Sequence, residues 1–315
     1  MKNLRILFMG TPLFAVHILD KIIQAKYNVV GVVTAPDKPA GRGKKLNQSA
    51  VKEFALRKNI PVLQPTNLKS EEFQEQLQEL QPNLCVVVAF RMLPKKVWSF
   101  PKYGTFNLHA SLLPDYRGAA PINWAIINGE TKTGVTTFFI DEAIDTGNII
   151  LQTETPITAT DTAGSLHDKL MEQGANLVTK TLQLIEDGTP KTHPQKQENP
   201  QKTAYKLTPE NTKINWDNNV STIHNFVRGL APYPVAYTFL HINEEKLRAK
   251  IHAVSPVAEP HNHTPGMLIV ENKKIKVYAR DGYLLIEEIQ LPGKRKMKTT
   301  DLLNGFSFPE NSYMS

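Results

Sequence analysis

The sequence predicts an α/β protein, a doubly wound parallel sheet with a small β-barrel behind it, and three observations carry that reading. Short apolar runs alternate with amphipathic helical patterns from Arg5 to Val88, the signature of strand–helix–strand units. Composition then collapses into Pro, Gln, Asn, Thr and Lys between Gly188 and Lys206, with prolines at 190, 194 and 200, as in a linker. Beyond it, strand-like runs follow one another with turns such as Asp281-Gly282, which suggests a barrel. A chain of 315 residues exceeds one compact core of ordinary size, so two domains are expected, 1–189 and 207–315, joined by 190–206.

Taken in order, Arg5 to Met9 reads as a buried strand, after which Thr11 can cap a helix with Pro12 at its first position, where a missing N–H costs nothing. Phe14, Ile18, Leu19, Ile22 and Ile23 then share one helical face up to about Gln24. Residues 29–33 form the next strand, 51–58 a helix, 61–63 a short strand, 70–80 a helix and 84–88 a buried strand. The run 105–108 is a strand that ends in polar residues, and open α/β sheets place ligands at such ends. Residues 134–140 are β-branched and aromatic, 148–154 can return as their partner, and 165–186 form a long amphipathic helix closing the first domain. In the second domain a helix around 220–228 precedes strands at 236–240, 246–255, 267–270, 275–279 and 283–290. No internal repeat occurs.

Bulk properties narrow the function class. Hydrophobic residues make up 41% of the chain, no apolar run reaches roughly 18 residues, and the N-terminus passes straight into a strand without a signal-peptide core. A cytoplasmic protein is expected. The single Cys85 excludes an internal disulfide and, within Leu84-Cys85-Val86-Val87-Val88, reads as a buried small hydrophobe. Net charge is +7, and it is concentrated. Lys38, Arg42, Lys44 and Lys45 face only Asp37 in 35–46; Lys191, Lys196, Lys202 and Lys206 face only Glu198 in 191–206; Lys294, Arg295, Lys296 and Lys298 face no acid. Singly, each stretch is ordinary solvated surface; jointly they admit a nucleic-acid partner.

The chemistry concentrates in Phe106-Asn107-Leu108-His109-Ala110-Ser111-Leu112-Leu113-Pro114-Asp115-Tyr116-Arg117-Gly118 and Asp145-Thr146-Gly147. Side chains alternate along a strand, so Asn107 and His109 point to one face and can converge on one reacting atom. A carboxylate from Asp145 could orient the imidazole, the base-plus-orienter arrangement of acyl or formyl transfer, with no serine or cysteine nucleophile. By residue type alone, Asp145-Thr146-Gly147, with Asp141 just before it, reads first as a hairpin turn between two strands.

Other motifs fail. Gly10-Thr11-Pro12 lacks the later glycines of a dinucleotide fingerprint, and Gly41-Arg42-Gly43-Lys44-Lys45 has Lys45 where a phosphate loop needs Ser or Thr. His261 and His263 lack a third ligand nearby and read as solvated loop residues, so no metal is expected.

These residues resemble a family. Gly10-Thr11-Pro12 with Phe14-Ala15, the run Pro36-Asp37-Lys38-Pro39-Ala40-Gly41-Arg42-Gly43-Lys44-Lys45-Leu46, the Asn107-x-His109-x-Ser111-Leu112-Leu113-Pro114 segment and Asp145-Thr146-Gly147 are similar to the methionyl-tRNA formyltransferases. Asn215-Trp216 and Asp301-Leu302-Leu303-Asn304 extend the resemblance across essentially the whole chain. It implies a Rossmann-like formyltransferase domain, an OB-like C-terminal barrel, and formyl transfer from 10-formyltetrahydrofolate to initiator methionyl-tRNA by a monomer without metal or membrane. Asn107, His109 and Asp145 carry over as catalytic. Phe90, Arg91, Met92 and Leu93, Ser111, Leu112, Leu113 and Pro114, and Ile140 and Asp141 carry over to the folate pocket.

The basic loop with Arg42, Lys44 and Lys45, together with Lys206, Lys294, Arg295, Lys296 and Lys298, carries over to tRNA. One departure stands out: Phe90-Arg91-Met92-Leu93-Pro94 is one residue shorter than the family's Tyr/Phe-Gly-x-Ile-Leu-Pro, with Arg in place of Gly. Three other readings share parts of the pattern: a folate-dependent sugar-nucleotide N-formyltransferase, a catalytically silent RNA-binding protein on the same scaffold, and a 10-formyltetrahydrofolate hydrolase.

Overall fold

The structure is a computed structural model that describes residues 3–40, 45–196 and 202–315. The chain runs β1 (Arg5–Gly10), α1 (Leu13–Gln24), β2 (Asn28–Val33), β3 (Lys38–Ala40), β4 (Lys45–Asn47), α2 (Ala50–Arg57), β5 (Val62–Leu63), α3 (Glu71–Leu80) and β6 (Leu84–Val88). It continues through α4 (Lys95–Trp98), β7 (Thr105–His109), β8 (Arg117–Gly118), α5 (Pro121–Ile127), β9 (Lys132–Phe139), β10 (Ile149–Pro156) and α6 (Ala163–Asp187). Contacts divide it into two units, 1–118 with 133–155 and 168–202, and 119–132 with 156–167 and 203–315.

The first unit is built on a seven-stranded sheet in the order β10-β9-β7-β6-β1-β2-β5. Strands β5, β2, β1, β6 and β7 pair in parallel, while β9 runs antiparallel to β7. The predicted parallel sheet therefore ends in an antiparallel edge at β9, whose 140–148 connection, too brief for a helical crossover, returns directly into its neighbour β10. Phe8, Phe73, Phe106 and Phe138 are among the largest fully buried side chains, each contributing about 1.5–3 kcal/mol through burial.

Helix caps follow the local sequence. Ser49 and Ser70 accept from Lys52 N and Phe73 N, so α2 and α3 begin at Ala50 and Glu71, each one residue from the expected starts at 51 and 70. At α1 the expectation slips by one: Pro12, not Thr11, takes the cap position, in extended backbone, and no side chain caps it. The Pro12 carbonyl instead accepts from Ala15 N and Val16 N.

The second unit gathers α5, β11 (Thr203–Ala204), α7 (Val220–Leu230), β12 (Ala236–Ile242), β13 (Glu245–Ala258), β14 (Leu268–Glu271), β15 (Lys274–Tyr278), β16 (Gly282–Gln290), β17 (Met297–Lys298), α8 (Thr299–Leu302) and β18 (Tyr313–Met314). Its sheet runs β14-β15-β16-β13-β12-β18, with β17 on β16. The two ends meet: Met267 bridges Tyr313, and Gly266 N and Met314 N donate to Tyr278 O and Gly266 O at 2.8 Å. The antiparallel sheet thus curls into a nearly closed barrel, OB-like as expected. Ile223, Val227 and Leu230 of α7 join Ile251, Val277, Ile286 and Trp216 in its core, and the Trp216 indole donates to Thr238 Oγ1 at 2.9 Å.

Closure demands a glycine at 266. Its φ is +87°, and a Cβ there would lie 2.1 Å from Met314 O. Gly266→Ala is expected to cost the second unit about 2 kcal/mol, read as a lowered denaturant midpoint; an unchanged midpoint would show that the seam repacks freely.

Candidate active site

Strand β7 pairs with β6 and β9, and its Leu108 packs against α6 at Gly174. Asn107 and His109, out of phase with Leu108, therefore emerge on the opposite face. Asn107 is half-buried, and its carboxamide makes no hydrogen bond among the described residues. His109 is only 6% exposed. Its Nε2 lies 2.8 Å from the Tyr116 carbonyl; a carbonyl only accepts, so Nε2 carries a proton. Nδ1 then faces Asp145 Oδ2 at 3.8 Å, an ion-pair distance longer than a hydrogen bond.

Two loops frame this pair. Tyr116, at φ +60°, turns its carbonyl onto His109, and Gly118 N donates to Asp145 Oδ2 at 3.1 Å. Asp145 itself is left-handed, at φ +56°. Asp145-Thr146-Gly147 lies in the turn between β9 and β10, and that turn brings Asp145 to His109: Asp141 Oδ1 accepts from Ala143 N at 3.2 Å and Thr146 Oγ1 at 2.6 Å, folding the loop that presents Asp145. Gly147 is obligatory because a Cβ would meet Phe139 O at 1.7 Å.

Against this geometry stand the comparisons. Residues 2–182 match the family model described as formyl transferase, and 206–307 the model described as formyl transferase, C-terminal domain. A protein from Flavobacterium johnsoniae named methionyl-tRNA formyltransferase is 55% identical over 312 residues, 99% of each chain. The chain belongs to the methionyl-tRNA formyltransferase family. A relative of that name from Bacteroides fragilis is 47% identical over 98% of this chain and 97% of its own. Among solved structures, the sugar 3N-formyl transferase WlaRD, in the presence of dTDP and 5-N-formyl-THF, is 24% identical with a TM-score of 0.65, over 94% of this chain and all of that one. The N-formyltransferase from Helicobacter canadensis, in complex with folinic acid and dTDP-3-aminofucose, is 25% identical with a TM-score of 0.66, over 90% and 98%.

Within this formyltransferase, the residues carried over to the folate pocket divide. Phe90 and Ile140 pack on one apolar cluster at the end of β6. Leu93 is a member of that cluster, 7% exposed, so its side chain mainly supports the fold. The Arg91 guanidinium donates to the carbonyls of Pro65 and Thr66 and lies 5.6 Å from the Phe90 ring. Arg91, Met92 and Leu93, with Thr66, Asn67, Leu68, Lys69 and Pro94, line an open cleft of about 420 Å³. Asp141 spends its carboxylate on its own loop.

The Ser111–Pro114 segment is pinned from behind. Ser111 Oγ donates to Asp115 O, Thr136 Oγ1 donates to Ser111 O at 2.6 Å, and Gln152 Nε2 donates to Leu113 O at 2.9 Å. Leu113 is buried, Leu112 half-buried, and Pro114 follows a cis bond. Polar capacity here goes to shape.

Of the basic residues, Arg42 and Lys44 lie outside the described residues, as does the Lys45 side chain, whose backbone pairs with Ala40. The base of that loop is fixed: Asp37 accepts from Lys52 at 2.5 Å and from Gln64 at 2.8 Å, which holds its carboxyl below the usual range. The one acid of the stretch is therefore matched by a lysine outside it. Lys206, Lys294, Arg295 and Lys298 are exposed, whereas Lys296 pairs with Glu288 at 2.7 Å.

Sequence reasoning missed Gln195, which bonds the Asp145 loop, and read His261 and His263 as solvated. Both rings pack on Tyr278, at 4.8 and 4.1 Å; His263 is exposed as read, whereas His261 is half-buried. Polar loop composition had hidden both contacts.

Cys85 is buried in β6, and desolvation pushes its thiol up to about 12. At neutral pH it is protonated and shielded. Native protein is expected to resist iodoacetamide until unfolded, and Cys85→Ala to retain turnover; rapid native alkylation, followed by mass, would contradict this.

Proposed function

We propose that this chain transfers the formyl group of 10-formyltetrahydrofolate to the α-amino group of methionyl initiator tRNA. The observation that carries the reading is the Asn107 carboxamide, without a hydrogen bond among the described residues, two positions along the strand from His109, which is buried and faces the half-buried Asp145. The 47–55% identities to methionyl-tRNA formyltransferases support tRNA as acceptor over the sugar nucleotides of the 24–25% identical structures.

Formyl folate supplies the activated one-carbon unit, and the substrate amine is the nucleophile: a C–N bond forms to the amine while the bond to the donor nitrogen breaks. Asn107 donates a hydrogen bond to the oxygen on which negative charge develops. His109 holds the proton in transit between the two nitrogens. With Nε2–H committed to Tyr116, Nδ1 is its basic atom, and the Asp145 carboxylate offsets the charge that the ring gains. Phe90 and Ile140, partly buried on one apolar cluster, would offer apolar surface to a flat aromatic donor. Exposed Lys206, Lys294, Arg295 and Lys298 would meet tRNA phosphates.

Incubation with formyl folate and charged initiator tRNA should give N-formylmethionyl-tRNA by mass, and Asn107→Ala should lower its rate about 10²–10³-fold. Asp145→Asn should also lower kcat in folded protein. Formylation of an amino-sugar nucleotide in preference to the charged tRNA would overturn the acceptor, and an Asn107 variant of full activity would overturn the mechanism. Binding of charged tRNA should weaken steeply as salt rises, and less steeply after Lys294, Arg295 and Lys298 become Ala together; a salt-independent titration would remove the phosphate contacts.

A further inference from the structure

We infer that Gln195, in the segment whose composition reads as a connector, is a positioning residue for the catalytic carboxylate. Its Nε2 donates to the carbonyls of Asp145 at 2.8 Å and Gly147 at 2.9 Å, one hydrogen to each. Its Oε1 accepts from the Arg117 guanidinium, through Nε at 3.1 Å and through Nη2. One amide thus ties the loop that carries Asp145 to the turn that carries the Tyr116 carbonyl and the Gly118 N–H. Those same two segments close on His109 from the other side. The segment is seated there by two backbone bonds, His193 N to Ile149 O at 2.9 Å and Ile149 N to His193 O at 2.8 Å.

The reason an amide is needed lies in the Asp145 backbone. A left-handed residue that is not glycine is uncommon, and aspartate tolerates that region without being locked in it, so its peptide needs outside bonds to stay fixed. Two carbonyls two residues apart converge on one –NH2 group, and this fixes the peptide rotation that aims the Asp145 side chain. Without it the carboxylate can turn away from His109, and a shift of about 1 Å in a catalytic group can cost up to about 10²-fold in rate. The role acts through Asp145 and so rests on the catalytic reading above.

The test is a cycle of Gln195→Met, Asp145→Asn and the double variant in the full chain, with single-turnover formylation followed by mass. Gln195→Met keeps the shape and removes the bonds; it should lower kcat about 10–100-fold with KM for either substrate within about twofold. Gln195→Glu keeps the acceptor for Arg117 but sets a carboxylate against two carbonyls, so it should be as slow. The double variant should be no slower than Asp145→Asn within about twofold, since the two act as one unit. Wild-type turnover in Gln195→Met, full activity in Gln195→Glu, or losses that multiply in the double variant would each overturn the inference. An Asp145→Asn protein of undiminished rate would instead sink the catalytic reading itself.

Discussion

The bond from His109 Nε2 to the Tyr116 carbonyl is the constraint on which the rest of the centre depends. A buried imidazole has two nitrogens and an ambiguous proton; a backbone carbonyl at 2.8 Å removes the ambiguity. Once Nε2 must donate, Nδ1 is the nitrogen left free of that bond, and it is the one that faces Asp145. That position lies on a loop, not on the sheet. Loop conformations need external support, which is why so many hydrogen bonds near the site run from side chains to backbone carbonyls: Ser111 to Asp115, Thr136 to Ser111, Gln152 to Leu113 and Gln195 to Asp145 and Gly147. These polar residues around His109 build a cradle, while the Asn107 amide makes no hydrogen bond among the described residues.

Most of the fold was legible because its determinants are local and periodic. Leu84 to Val88 is a five-residue apolar run and becomes the central strand β6, buried throughout; Phe73 and Leu77 sit four apart and form the buried stripe of α3. What the sequence could not disclose depends on distant partners. The antiparallel edge at β9 is set by pairing with β7 rather than by composition. Helix α5, with Pro121 at its start and seven residues, has no amphipathic pattern long enough to register; it is stabilised by what it packs on.

The site shows the same division. Asn107 and His109 were readable because strand alternation alone places them on one face, and Asp145 because its neighbours already marked a turn. Gln195 was unreadable: it stands in a run of Pro, Gln and Lys whose composition says linker, and nothing in spacing connects position 195 with 145. Arg91 illustrates a third case. Its place beside Phe90 was visible, but its attachment to the carbonyls of Pro65 and Thr66 is a contact between segments about 25 residues apart that no local pattern signals.

The second unit is not a contiguous stretch of chain. Helix α5 and residues 156–167 belong with the barrel although they precede it by many residues. The Asn123 amide donates to Gly229 O at 2.8 Å, Ile127 packs on the barrel core, and the Arg228 guanidinium donates to Asp161 O at 2.7 Å. A fragment severed at residue 206 would therefore leave one side of α7 stripped of its apolar cover and Arg228 Nη1 without the carbonyls of Thr158 and Asp161. Such a piece is expected to be sticky and poorly soluble, so an expressible barrel needs a graft of the 119–132 and 156–167 segments rather than a cut at the obvious seam.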